Sequence, residues 1–445
     1  LIAQGCAFVP VTHPFASAFP DGTWLGVSTD MEETASRIGA IYPKDAETWR
    51  ALFSQFPGRA ETIFGLLSSP MKIRALAYFV FKMLRRQGVA RTLDLAQFLM
   101  LSPRQFLTQT FQNLKLHAML GAWGMHLDFA PYIAGGGLFP YLEGMAAQAF
   151  GMALGKGGAD VIIRALEGAV VARGGVIETG AEVVKILHDG TRATGIQLAD
   201  GRQVSATRAV IAGVSPSALL RLTGPTQPVF DQAMERFTHA PGTMMIHLAM
   251  EDLPNWAAGA ALKTYAYVHL APSLDQMART YAQAMAGLLP DEPIVVVGQP
   301  TGQDPSRAPE GKHVLWLQVR MAPGVIKGDA AGRITATDWA EAAEPFAERA
   351  LDILERCAPG TRAKILGRRI VGPLDLQAEN PNLVGGDQIC GIHHLSQNFL
   401  FRPVRGHADG STALKNLHLT GAAVWPGAGT GAGPGWLLAQ KLVGK

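Results

Sequence analysis

A chain of 445 residues is long enough for two or three domains with substantial cores. Hydrophobic residues make up 48% and charged residues 17%, an apolar balance, yet no run reaches the roughly 18 uncharged apolar residues of a membrane span. A net charge of +3 does not suggest nucleic acid, and Cys6, Cys357 and Cys390 stand isolated, without the C-x-x-C or H-E-x-x-H spacing of a metal site, which fits a reducing, cytoplasmic compartment.

From the start, Phe19 and Trp24-Leu-Gly-Val27 flank Asp21-Gly22, the signature of a hairpin turn. From Met31 to about Met119 the pattern turns mostly helical, with Asp30 expected as an N-cap and Glu33, three residues on, as its capping-box partner. Within this block Met71 to Arg91 holds Lys72, Arg74, Lys82, Arg85, Arg86 and Arg91 and no acid. At helical spacing Ile73, Leu76, Val80, Met83 and Leu84 share one face and Arg74, Lys82, Arg85 and Arg86 the other. Two readings follow: a helix resting on an anionic membrane surface, or the more usual core-facing helix with a solvated basic face.

Lys156-Gly-Gly158 precedes a predicted helix over Ala159 to Ala172, which Gly174-Gly175 should end. Strands are expected at Val176 to Thr179, Glu182 to Leu187, Ala193 to Leu198 and Gln203 to Ile211, with turns at Asp189-Gly190 and Asp200-Gly201, so a three-stranded meander is expected. Thr223 to Ile370 mixes strands at Thr243 to Met250, Ile294 to Val297 and Val314 to Val319 with a helix around Asp338 to Glu355.

The chain closes on Asn416-Leu-His-Leu-Thr-Gly421, which reads as a short strand, a loop holding Gly427, Gly429, Gly431, Gly433 and Gly435, and a helix starting near Trp436. Backbone N–H groups and a helix start aimed at one place suit a phosphate or another anionic end of a ligand. The spacing is not the G-x-G-x-x-G of a dinucleotide fold, and only ten residues follow Gly435, so the loop closes a cofactor site instead of opening one.

Asn416 to Ala439, centred on G-A-A-V-W-P-G-A-G-T-G-A-G-P-G, resembles the C-terminal flavin-binding motif of phytoene desaturase-like FAD oxidoreductases. Asn380-Pro-Asn-Leu-Val-Gly-Gly-Asp387 and Phe401-Arg-Pro403 resemble the segment that leads into it, and G-K-G-G-A-D to R-A-V-I-A-G resembles the family's second flavin segment. Trp425 stands where the family usually has His before Pro.

The resemblance implies a mixed α/β, two-domain flavoprotein: a Rossmann-like FAD domain built from 141–222 and 406–445, and a substrate domain built from 1–140, helical, and 223–405, mixed sheet and helices. The same relatives open with a G-x-G-x-x-G unit and a ribose-binding Glu; neither pattern occurs here, and Leu1 is the first residue, so a fragment or variant lacking about 30 residues or more is expected. The FAD contacts implied are the main chain of Val183, for the adenine, and Gly421, Ala422, Pro426, Gly427, Gly429, Gly433 and Gly435.

The activity implied is FAD-dependent desaturation, saturation or isomerisation of an apolar polyene or lipid-like substrate; an amine-oxidase-like enzyme and a scaffold that has lost its flavin are the rivals. No catalytic residue is required by the pattern, since the flavin does the difficult step. His393 and His394 are candidates for orienting or proton transfer against a plain structural role, and at most one should reach the site if both lie on a strand. Arg402 is a candidate for flavin contact or for structure.

Overall fold

The computed structural model describes residues 1–444. Apolar alternation makes Gly242–Met250 and His313–Ala322 the longest strands, and they lie side by side inside a seven-stranded sheet. Its order is Ile365–Val371, Gly242–Met250, His313–Ala322, Ile294–Gly298, Tyr267–Leu270, Phe15–Ala18, Trp24–Val27. All neighbours run antiparallel except Tyr267–Leu270 with Phe15–Ala18. The turn at Asp21-Gly22 joins the last two strands as the sequence predicts, with Gly22 at φ 77°.

One face of the sheet is covered by the helix Trp339–Cys357, whose N-cap Asp338 accepts the Glu341 N–H at 2.9 Å. Phe346, Ala350 and Leu354 on this helix bury against Val295, Val297, Leu315, Leu317 and Val319. Beside them Arg349 grips Asp329 in a buried two-pronged pair, at 2.7 and 2.8 Å. Gly298 must be glycine, because a Cβ there would lie 2.0 Å from the Trp316 ring.

The other face carries a layer of helices, among them Pro43–Leu67, Pro103–Thr110, Leu114–Met125, Leu138–Phe150 and Leu274–Met285. Every residue from Leu116 to Met125 is buried, as expected of a helix surrounded by others. Asp30 caps Met31–Gly39 by accepting from the Glu32 and Glu33 N–H groups. The capping box does not form, because the Glu33 carboxylate is drawn to His13 and Arg37 instead.

The basic segment is part of Ile73–Met100, which breaks at Gly88, where φ is 82° and ψ 173°. The core-facing reading fails for three of the five residues of its apolar stripe: Ile73 is 75% exposed and Val80 and Leu84 are exposed as well, while Leu76 is half-buried and Met83 buried.

The third part begins with the helix Asp160–Val171, ended by Gly174 in the left-handed region. The expected meander forms from Val183–His188, Ala193–Leu198 and Gln203–Ser205. Two strand expectations fail. Val176–Thr179 pairs with nothing among the described residues, and Gln203 to Ile211 splits, its end becoming Val210–Ala212, which pairs in parallel with Leu417–Leu419 in another sheet. A core of Ile186, Leu219, Leu222, Phe230, Leu417 and Leu419 joins these pieces, and Gly433–Val443 follows the glycine loop.

Candidate functional site

A cavity of about 640 Å³ lies where the helical layer meets the glycine loop. Helix Pro43–Leu67 contributes Ile63, Phe64 and Leu67, helix Leu138–Phe150 contributes Phe139, Leu142 and Ala146, and the C-terminal segment closes it with Trp425, Pro426, Ala428 and Trp436. Its size suits a small-molecule site, and its walls are mostly apolar, with Ser68, Glu143, His393, Asn398 and Thr430 among them. Trp425 is fixed by donating its indole N–H to the Ser69 carbonyl at 3.1 Å and by stacking on Phe399, 5.1 Å between ring centres.

The loop is shaped by its glycines where contact leaves no choice. Gly427 has φ 94°, and a Cβ there would stand 2.5 Å from His393 Nε2. That nitrogen accepts the Ala428 N–H at 3.0 Å, while Nδ1 has no protein partner. Burial, and then the Arg402 charge, hold the His393 imidazole well below its ordinary pKa, so it is neutral. Among the described residues the N–H groups of Gly429, Thr430, Gly431 and Ala432 carry no hydrogen bond, and the Thr420 hydroxyl near Gly435 is buried without a partner.

Of the sequence-predicted residues, Pro426, Gly429 and Gly433 line the cavity, and Gly427 lies behind it against His393. Gly421 and Gly435 are exposed on the strand and helix sides of the loop. Ala422 presents its carbonyl to Arg402. Val183 is not brought to the same place; it lines a separate cavity of about 600 Å³ between the meander and Val210–Ala212.

Arg402 is fully buried and spends its donors on main-chain carbonyls: Nε and Nη2 on Ala422, Nη1 on Ile392 and Nη2 on Cys390, all between 2.7 and 3.0 Å. Burial brings its pKa down to about 10, so the charge remains. Of the two candidate roles, this is the structural one.

The two histidines part company, though from a loop and not from a strand. His393 lines the cavity; His394 turns away and donates to Asp128, 2.9 Å to its carbonyl and 3.1 Å to its carboxylate. Burial lowers the His394 pKa, but the hydrogen bond and charge of Asp128 outweigh it and leave it raised.

Sequence reasoning passed over Glu143, which lines the cavity from helix Leu138–Phe150. Burial alone pushes its carboxyl pKa up. The signal was there to find: Glu143 is the single charged residue between Asp128 and Lys156.

Residues 25–364 match the family described as flavin containing amine oxidoreductase. The chain is 26% identical to the rat pyridine nucleotide-disulfide oxidoreductase domain-containing protein 2, over 95% of this chain and 76% of that protein. It is 27% identical to the zeta-carotene-forming phytoene desaturase of Myxococcus xanthus, over 75% of this chain and 59% of that one. Among solved structures, an oxidoreductase from Methanosarcina mazei shares the fold with a TM-score of 0.54 at 16% identity, covering 99% of this chain and 83% of its own. Cyclohexylamine oxidase from Brevibacterium oxydans does so at 0.53 and 15%, covering 100% and 82%.

Proposed function

The chain belongs to the flavin containing amine oxidoreductase family and is an FAD-dependent oxidoreductase; on that premise we propose that it acts on carbon–carbon bonds of an apolar, polyene or lipid-like molecule. The observation that carries this reading is the mostly apolar cavity of about 640 Å³, with the glycine loop as one wall. Phytoene desaturases among its relatives support the same substrate class.

The residues present fit a flavin. Unpaired N–H groups from Gly429 to Ala432, the start of helix Gly433–Val443 and the orphaned Thr420 hydroxyl offer donors to an anionic or carbonyl-bearing edge, and Gly427 leaves room that a side chain would fill. Pro426 and Gly433 belong to that wall, Gly421, Ala422 and Gly435 flank it on the strand and helix sides, and in this reading Val183 offers its main chain to the adenine from the separate cavity. Bound FAD supplies the hydride acceptor. The apolar walls hold the substrate and keep water out, and neutral His393 fixes the loop through Ala428 without placing a charge beside it.

We also propose that Ile73–Met100 rests on an anionic bilayer. No helix among the described residues is long and apolar enough to cross a membrane. Exposed Ile73, Tyr78, Phe81 and Val89 beside Lys72, Arg74, Lys82, Arg85 and Arg86 suit a helix lying in the interface. Sedimentation with anionic vesicles, abolished in a Phe81→Glu, Ile73→Glu double variant, is expected; equal sedimentation of both proteins rejects it.

The function is tested by anaerobic spectroscopy of the FAD-loaded chain. Bleaching of the flavin bands by apolar polyenes and not by alkylamines is expected. Bleaching by amines alone selects the amine-oxidase rival, and a protein that takes up no FAD selects the scaffold.

A further inference from the structure

We propose that Glu143 is a receiving site for positive charge, the single point at which a substrate held otherwise by apolar contact meets an anion. The inference rests on reading the 640 Å³ cavity as the substrate chamber.

Helix Leu138–Phe150 is apolar on both sides. Pro140, Tyr141, Gly144 and Met145 bury into the helical core, while Phe139, Leu142 and Ala146 face the cavity with Glu143. Glu143 is half-buried, so its carboxyl is partly desolvated at the cavity surface with no protein partner in return, where a leucine would also fit.

The acids whose carboxyls are fully buried are each answered by a partner. Asp128 has His394, Asp329 has Arg349, Asp45 has the N–H groups of Gln112 and Asn113, and Asp387 has His239 and the N–H groups of Ala240, Ile389 and Gly391. Among the described residues Glu143 hydrogen-bonds to none and pairs with none. No cation lines the cavity either: the other titratable wall residue is His393, neutral and engaged with Ala428. Aromatic faces at Phe139, Phe399, Trp425 and Trp436 also attract positive charge. An unanswered carboxyl among π faces is matched by a ligand that brings the cation with it.

That charge has two sources. An alkylammonium group carries it permanently. A polyene would acquire it in reaction: bound FAD would supply the two-electron acceptor for the hydride of a breaking C–H bond, and the carbon left behind would be cationic. A proton from the neighbouring carbon would then pass to the Glu143 carboxylate, the C–H electron pair would become the new C=C bond, and Glu143 would end as the carboxylic acid. Because burial raises the Glu143 pKa, the receiving form gains population as pH rises through that raised value.

The test needs no turnover. Calorimetry compares decyltrimethylammonium with uncharged decyl tert-butyl ether on wild type and Glu143→Gln. The expected result is at least tenfold tighter binding of the ammonium by wild type, increasing from pH 5 to pH 8, and parity in Glu143→Gln with ether affinity unchanged. Equal affinities in wild type, or a preference that survives in Glu143→Gln, overturn the proposal. Glu143→Leu serves as the folding control and should melt no lower than wild type; if it melts lower, Glu143 is structural and the proposal falls.

Anaerobic bleaching then separates the sources. Bleaching by alkylamine alone assigns the permanent charge. Bleaching by polyene, slowed at least a hundredfold in Glu143→Gln, assigns the charge that develops in reaction. Bleaching by neither, with the ammonium preference intact, keeps Glu143 as a cation site and removes the proposed function.

Discussion

Asp329 is a buried carboxyl and Glu143 a half-buried one in a cavity wall, and the regions around them treat them in opposite ways. Beneath the seven-stranded sheet, Asp329 is met by Arg349 and by the N–H groups of Arg333 and Ile334. In the cavity wall Glu143 has no hydrogen-bond or ion-pair partner among the described residues. Gly298 and Gly427 repeat the contrast: the first is a glycine because Trp316 fills its space, the second because the loop must approach His393 closely, just before the Gly429 to Ala432 N–H groups that carry no hydrogen bond among the described residues. Beneath the sheet the Asp329 carboxyl is answered internally, although Ser17 Oγ, His269 Nδ1 and Arg320 Nε on the strands themselves are buried without a protein partner. The cavity region leaves donors and a carboxyl for something that is not protein.

The contrast breaks first, and hardest, at the buried pair. Arg349→Met leaves Asp329 charged and unmatched and should lower unfolding free energy by about 3–5 kcal/mol in a urea titration. Burial pushes the Asp329 pKa up, yet its hydrogen bonds with Arg349, Ile334 and Arg333 hold it well below the usual carboxylate range. The stability this group contributes is therefore fully present above the ordinary value of 3.8 and is lost as pH falls below it. Wild type should lose urea resistance below that pH, and Arg349→Met should lose less.

Next comes Gly298→Ala, which forces the Trp316 ring aside and should cost about 1–3 kcal/mol with FAD affinity unchanged. Gly427→Ala is the counterpart. It should weaken FAD binding by about tenfold or more, roughly 1.4 kcal/mol, read by fluorescence titration, because both the loop conformation and His393 are disturbed. The smallest effect has the opposite sign. Glu143→Leu replaces an unmatched carboxyl with an apolar side chain and should raise stability by about 1 kcal/mol in urea. If it destabilises instead, the cavity region resolves its polar groups as the sheet region does, and the contrast disappears.

Much of the sheet was legible because its evidence is periodic and local. The turn at Asp21-Gly22, the meander and the strands at 243–250 and 314–319 all follow from alternation and turn residues. The misses are non-local. Val176–Thr179 has the composition of a strand, but a strand exists only against a neighbour, and none among the described residues is there. Glu33 suits a capping box until His13 and Arg37 compete for it. The stripe from Ile73 to Leu84 has the spacing of a buried face, and spacing says nothing of what, if anything, covers it. The glycine loop announced itself by composition. Glu143 announced itself as a lone charge in an apolar stretch, a signal easily passed over because one residue makes no motif.

Arg402 carries one more consequence. Its guanidinium recognises the course of the chain at Cys390, Ile392 and Ala422, and not what those residues are. Their side chains can drift under mutation without altering a single one of those bonds. Replacing the clamp itself is different: lysine has one nitrogen where three are used, so no ordinary conservative exchange reproduces the staple. The segment leading to the glycine loop is thus tolerant in identity and intolerant in shape.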